Sequence, residues 1–312
     1  MNISIYTITS ELHDKVAINQ ATKEFLGALD FEYDFKDSDY STYGDADLNL
    51  IYVRTGGTEG VFKKIQPLLM ERSSRPFYLL TSGKSNSLAA SMEILSYLNM
   101  NKQKGEIIHG DAAYISTRVK ELAQVESARK KLIGMRLGVI GAPSDWLISS
   151  IASPVAVKQK LGIEIVNIAI DEVVDAYNAI ADTPSDCATL AEKATTKATK
   201  EAVPGAMKLY YALKEVVSRH RLNGFTIRCF DLLGVVRNTS CYALARLNAE
   251  GIVAGCEGDI PTLLTMMITK AVTGVSGFQA NPSRIDPKTG EMLVAHCTIP
   301  LNMVTRYELD TH

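Results

Sequence analysis

Residues 251–260 read GIVAGCEGDI. An apolar run, Ile252-Val253-Ala254, leads directly into two carboxylates, Glu257 and Asp259, separated only by Gly258, and Pro261 then opens an apolar helical pattern. Buried strand, tight turn, helix is the repeating unit of a parallel α/β sheet. Acidic side chains at the carboxyl end of a buried strand are costly unless something pairs with them, and a divalent metal or a reacting substrate is the usual reason to put them there. Further on, Ala295-His296-Cys297 brings a second ligand-type side chain out of an apolar approach.

The same alternation extends outward to the amino terminus. Ile3–Thr7, Phe31–Phe35, Leu48–Val53, Pro76–Leu80 and Glu106–His109 read as strands, and Ala17–Leu29, Val61–Met70 and Leu88–Leu98 read as helices between them. Strands separated by helices imply parallel pairing with helices on both faces. Ala113–Ile133 is a charged, helix-period segment that joins two domains, with a boundary near Gly134. The pattern then restarts with Arg136–Ile140 as strand, Gly141–Ser144 as turn, Val155–Leu161 as helix and Ile163–Ile168 as strand. Residues 182–204 are rich in Ala, Thr, Lys and Asp and predict an exposed helix beside a flexible connection, ended by Pro204. Met207–His220 is helical, Gly224–Cys229 a strand, Ser240–Asn248 a helix, Ile252–Cys256 a strand and Thr262–Val272 a helix. Glu291–Pro300 and Met303–Leu309 predict β-structure, and no repeat stands out.

Composition narrows the class. In 312 residues, 46% hydrophobic and 22% charged content fits an ordinary globular protein, and a net charge of -2 provides no basic field to attract nucleic acid or an anionic membrane. Five cysteines without CxxC spacing imply reduced thiols of a cytoplasmic protein, not a disulfide framework. The start of the chain lacks the basic and apolar regions of a secretion signal, and the longest apolar segment, Ile260–Phe278, is broken by Pro261, Lys270 and glycines, which argues against a membrane span.

Three strand ends in the second half carry polar residues: Asp231 after GFTIRC, Glu257 with Asp259, and His296. Ligands gather at the carboxyl ends of strands in parallel sheets, so these four are expected to converge. Carboxylates plus imidazole are a ligand set for Mn²⁺, Mg²⁺ or Zn²⁺. Each also has a structural reading: Asp231 as a turn cap, Glu257 or Asp259 as a helix cap, His296 as a hydrogen-bonded interior residue. The turns Thr55-Gly56-Gly57-Thr58 and Thr81-Ser82-Gly83-Lys84 match neither a dinucleotide fingerprint nor a P-loop and read as tight βα turns.

CYALARLNAEGIVAGCEGDIPTLLTMMITKAVTG (residues 241–274), FQANPSRID (278–286) and AHCTIP (295–300) resemble the core of the L-fucose isomerase and L-arabinose isomerase superfamily, and TSGKSNSLAASMEIL (81–95) is similar to its first domain. The resemblance implies two doubly wound α/β domains, here 1–134 and 135–251, followed by a β-rich C-terminal domain whose beginning, 252–312, carries metal-site residues and reads as truncated. It implies an aldose–ketose isomerase of carbohydrate metabolism that acts on a pentose or 6-deoxyhexose through an enediol. Mn²⁺ would be held by Asp231, Asp259 and His296, with Glu257 beside them, and the two aspartates would double as acid/base groups. A cytoplasmic homo-oligomer with a small sugar as its partner is the expectation; the rival is a non-catalytic sugar-binding or regulatory protein on the same scaffold. An aspartate at 231, where the superfamily more often has glutamate, is a departure.

Overall fold

The computed structural model describes residues 1–182 and 184–311; the parts of the readings above that touched Thr183 and His312 lie outside the described residues. The chain divides into two compact units, Met1–Lys130 and Lys131–His312, each with its own parallel sheet.

The first unit contains β1 (Ile3–Ile8), α1 (Lys15–Gly27), β2 (Asp34–Asp37), β3 (Leu48–Val53), α2 (Glu59–Arg72), β4 (Phe77–Thr81), α3 (Ser87–Met100), β5 (Gly105–Ile108) and most of α4 (Ala112–Leu132). The strand order is β2-β1-β3-β4-β5, all parallel, so the winding reverses between β1 and β3. Period-two alternation sorts the side chains between two cores. Ile3, Ile5, Leu48, Leu50, Tyr52, Tyr78 and Leu80 face α1 and α4, where Leu26, Ile115 and Val119 meet them. Tyr6, Ile8, Ile51, Val53, Phe77 and Leu79 face α2 and α3, meeting Phe62, Leu69, Ile94 and Leu98. A strand with both faces buried reads as a near-continuous apolar run, which is why Leu48–Val53, broken only by Asn49, is found in the sequence to the residue. The strand expected at Phe31–Phe35 is instead Asp34–Asp37, because Phe31 and Tyr33 pack edge to face with each other against the α1/α4 core and pairing at the sheet edge begins only at Asp34. Glu126 on α4 is buried but satisfied: the Tyr78 hydroxyl donates at 2.9 Å and Arg75 and Arg129 pair with it at 2.9 and 3.2 Å.

The second unit contains β6 (Arg136–Ile140), α5 (Pro154–Leu161), β7 (Glu164–Ile168), α6 (Ile170–Ala179), α7 (Cys187–Ala191), α8 (Lys197–Arg219), β8 (Gly224–Ile227), α9 (Asp231–Val236), α10 (Cys241–Ala249), β9 (Val253–Cys256), α11 (Ile260–Thr273) and the hairpin β10 (Asn281–Asp286) and β11 (Glu291–Ala295). Its order, β7-β6-β8-β9, all parallel, repeats the winding of the first four strands of the first unit without any repeat in the sequence. Val253–Cys256, within the 252–312 segment, is the fourth strand of this sheet. The antiparallel β10–β11 hairpin follows, with every β11 residue exposed.

Two readings change. Pro204 does not end a helix but sits inside α8. Thr196 caps α8 by accepting from the Thr199 amide at 3.1 Å, and the buried stripe Val203, Met207, Tyr210, Leu213, Val217 runs across the proline at helical spacing. Burial of that stripe outweighs the roughly 3 kcal/mol an internal proline costs, and the Asn238 side chain donates to the Ala202 carbonyl at 2.8 Å beside it. Residues 303–309 are also not a strand: Leu309 makes one isolated bridge to Ala194, its amide donating to the Lys193 carbonyl at 2.8 Å. No described helix is long and apolar enough to cross a membrane.

Asn248 fastens the last strand to α10. Buried, it donates to the Leu244 and Ala254 carbonyls at 2.9 and 2.7 Å and accepts from the Ala254 amide at 3.0 Å. Asn248→Leu keeps the volume and strands the Ala254 peptide; urea unfolding should show a loss of about 1–3 kcal/mol, and a change within experimental error would contradict this role. On the surface, the hydrogen bond from His220 (Nε2 to Oε2, 2.7 Å) holds the Glu172 carboxyl below the usual carboxylate range, with Arg219 adding to it. A lowered folded value contributes stability above the unfolded value of about 4.3 and loses it as pH falls through the folded one. The Glu172 titration midpoint, followed by NMR, should therefore move up in His220→Ala.

Candidate active site

The carboxyl ends of β6, β8 and β9 lead into the segments that hold the residues singled out in the sequence. At the end of β9 the chain turns through two successive left-handed residues, Glu257 at φ +66° and Gly258 at φ +70°. A side chain at position 258 would put its Cβ 2.4 Å from the Ala142 carbonyl oxygen, so only glycine fits. The non-glycine Glu257 in the same conformation is strained, a cost of order 1–3 kcal/mol that the surroundings must offset. They do so by fixing the peptides on both sides. The Cys256 amide donates to Gln279 Oε1 at 2.7 Å, and the Cys256 carbonyl accepts from Thr226 Oγ1 at 3.0 Å. The Ser144 amide donates to the Glu257 carbonyl at 2.9 Å, and the Gly258 amide to the Ile227 carbonyl at 3.1 Å.

The turn presents the Glu257 carboxylate to two partners. Trp146, the sole tryptophan, donates its indole N–H to Oε2 at 3.1 Å and packs edge-on against Phe230, ring centroids 5.7 Å apart. His296 Nε2 lies 3.7 Å from Oε1. The His296 imidazole is 5% exposed, and its other nitrogen, Nδ1, is 3.0 Å from Thr298 Oγ1, which fixes the ring. Glu257, His296, Phe230 and Asn281 border a cavity of about 230 Å³ together with Cys229, Cys256 and Cys297. His296 and Cys297 also line a cleft of about 370 Å³ between α8, α10 and residues 307–311. A larger hollow of about 560 Å³ lies at the amino ends of β1 and β2, the wrong end of a parallel sheet for a ligand site.

The aspartates are engaged elsewhere. Asp259 takes the helix-cap reading: Oδ1 accepts from the Thr262 amide at 2.9 Å and Oδ2 from the Thr262 hydroxyl at 2.8 Å. Asp231 opens α9 and pairs with Arg228 Nε at 3.0 Å; Arg228 also pairs with Asp145 at 2.9 Å. Among the described residues, no group of three or more His, Cys, Asp or Glu side chains is arranged to hold a metal ion. The structure thus brings Glu257 and His296 together and gives Asp259 and Asp231 to other partners. The Ser144 hydroxyl, beside this turn, is buried with no hydrogen-bond partner.

Four cysteines meet at the same place. Cys229 and Cys256 Sγ are 2.8 Å apart, Cys241 and Cys297 Sγ 3.4 Å apart, and Cys297 also hydrogen-bonds Cys256. Hydrogen bonds to Cys241 and Cys256, and then to His296, hold the Cys297 thiol far below its ordinary range. The bond to Cys297 in turn raises His296 against the pull of burial, with the Glu257 charge adding to it. In the first unit the glycine turns serve the backbone: the Gly56 amide donates to the Ser85 carbonyl at 2.7 Å, and the Thr81 hydroxyl donates to Ser87 Oγ at 2.7 Å.

Trp146, Arg228 and the meeting of the cysteines are absent from the sequence reading. A lone tryptophan in the loop after a parallel strand is a signal that reading could have used, and Arg228 stands three residues before the flagged Asp231. Nothing in their spacing shows that cysteines from four segments would meet.

No family model matches the chain. It is 22% identical over 222 residues, 68% of its own length and 49% of the relative's, to a sulfoquinovose isomerase of Alkalicoccus urumqiensis. It is 27% identical over 117 residues, 36% of its own length and 26% of the relative's, to a sulfoquinovose isomerase of Clostridium sp. (strain MSTE9). The chain thus spans about half the length of the first relative and about a quarter of the second. These similarities are to sugar isomerases.

Two outcomes are expected for the turn. Gly258→Ala forces a backbone clash at a left-handed position and should lower stability by at least about 2 kcal/mol in thermal unfolding; an unchanged melting temperature would mean the turn is not held as described. Glu257→Ala removes the acceptor of the Trp146 indole N–H and its nearby charge, so the tryptophan emission maximum should move while the far-ultraviolet circular dichroism stays the same.

Proposed function

We propose that the second unit carries catalytic residues of a sugar isomerase that interconverts an open-chain aldose and its ketose. The observation that supports this most is the facing pair Glu257 and His296, a carboxylate and an imidazole 3.7 Å apart on a cavity at the carboxyl end of a parallel sheet. The names of the two relatives point the same way. Sulfoquinovose, the sugar in the relatives' names, is an aldohexose with a sulfonate in place of the 6-hydroxyl, and we take it, beside the L-fucose and L-arabinose type implied by the resemblance, as the first substrate to test.

A carboxylate oxygen and an imidazole nitrogen, the latter oriented through Nδ1 by Thr298, are ligand types for a divalent cation such as Mn²⁺. We assign Glu257 Oε1 and His296 Nε2 as its protein ligands, with the remaining positions left to water and substrate oxygens. When bound, such a cation polarises the sugar carbonyl and lowers the pKa of the neighbouring hydroxyl. Glu257 would move the proton between C2 and C1 on Oε2, the oxygen not given to the cation and held in place by the Trp146 indole N–H, a contribution of about 10²–10⁴-fold for a positioned base. Asp259 would act by fixing the start of α11 under the turn, and Asp231 by holding Arg228 in the loop after β8.

The engagement of Asp231 and Asp259 away from the Glu257–His296 pair favours one rival, a sugar-binding protein on this scaffold that does not turn its ligand over. Proton NMR in deuterated buffer with Mn²⁺ separates the two. The isomerase reading predicts deuterium entering C2 of sulfoquinovose, L-fucose or L-arabinose with formation of the ketose, and a loss of about 100-fold or more in Glu257→Gln. Saturable binding of a sugar without exchange would leave the rival standing.

A further inference from the structure

Cys241 is the first residue of α10 and half-buried, Cys297 lies in the exposed turn after β11, and their sulfurs are 3.4 Å apart although 56 residues separate them in the chain. Behind them the buried pair Cys229, in the turn after β8, and Cys256, the last residue of β9, has its sulfurs 2.8 Å apart. We propose that Cys241 and Cys297 are a reversible oxidation site that closes to a disulfide with a low-molecular-weight disulfide such as oxidised glutathione. Access, with sulfurs already near bonding distance, separates this pair from the buried one. A disulfide bond is about 2.05 Å long, so the two sulfurs must close by roughly 1.4 Å. One sits at a helix end and the other in a turn, where the backbone yields most easily. Cys297 is exposed and can be reached by the oxidant, whereas Cys229 and Cys256 are buried. Four segments that bring four thiols together serve no packing need that alanine or valine would not meet equally well.

The chemistry balances in two exchanges. Cys297 sulfur attacks one sulfur of oxidised glutathione; that disulfide breaks, a mixed disulfide forms on Cys297, and one glutathione leaves with the Cys297 proton. Cys241 sulfur then attacks Cys297 sulfur, the mixed disulfide breaks, and a second glutathione leaves with the Cys241 proton. Two protein thiols are oxidised and one glutathione disulfide is reduced. Because Cys297 follows His296 directly and both line the two cavities, the bond would form at the mouth of the site.

The test reads the thiols and not turnover, so its outcome is independent of the isomerase reading. The folded protein is incubated with oxidised glutathione, quenched in acid, alkylated and mapped by mass spectrometry. The expected result is one species two hydrogens lighter, a linked peptide pair containing Cys241 and Cys297, full reversal by dithiothreitol, no link in Cys297→Ser, and an unchanged link in Cys229→Ser. A glutathione adduct that persists on Cys297 with Cys241 still alkylatable, a link between another pair, or no oxidation at all would each overturn the proposal. Circular dichroism of the two variants confirms that they are folded.

Discussion

The second unit depends on how β9 ends. Cys256 is the last residue in the sheet, and the two that follow must both take the left-handed conformation to turn the chain into α11. Glycine meets that demand at 258 without strain; glutamate at 257 does not. The structure keeps it there by tying the Cys256 peptide to Thr226 and Gln279 and the Glu257 carbonyl to Ser144. Those ties come from β8, from the segment after α11 and from the loop after β6, so three parts of the unit converge on one turn. A strained residue so thoroughly held, with its carboxylate on a cavity, is the pattern of a functional site.

The consequence for chemistry is orientation. The turn aims Glu257 so that one oxygen meets the Trp146 indole and the other faces His296. His296 directly follows β11, whose residues are all exposed, so its position relies on its own contacts, with Thr298 on one nitrogen and Glu257 across from the other. A half-buried carboxylate facing a buried imidazole at a strand end is the kind of placement the sequence first raised for residues 251–260. The structure relocates that argument: the acid brought to the cavity with His296 is Glu257, while Asp259 holds the helix start.

What the sequence discloses follows from how each property is encoded. Leu48–Val53 and Arg136–Ile140 match the observed strands to the residue, because burial on both faces makes each a largely apolar run, broken only by Asn49 in the first and by Gly138 in the second after its leading Arg136. The parallel α/β class follows from the spacing of such runs. Pro204 misleads because local propensity is outweighed by a buried stripe visible only once α6 and α10 are packed against α8. The strand at Asn281–Asp286 is hidden because a solvated hairpin needs no alternation. At the site, Glu257 and His296 are legible as ligand types at strand ends. Their pairing, the choice between Glu257 and Asp259, the Trp146 contact and the four-thiol cluster are properties of three-dimensional proximity, and spacing along the chain does not record them.

The central claim is that Glu257 and His296 share one divalent cation. Crystals of the protein soaked in Mn²⁺ and measured at the manganese absorption edge test it directly. The account predicts an anomalous peak in bonding contact with both Glu257 Oε1 and His296 Nε2. A peak on Asp231 or Asp259 that leaves this pair bare, or a pair still in mutual contact with no peak beside it at saturating Mn²⁺, would contradict it.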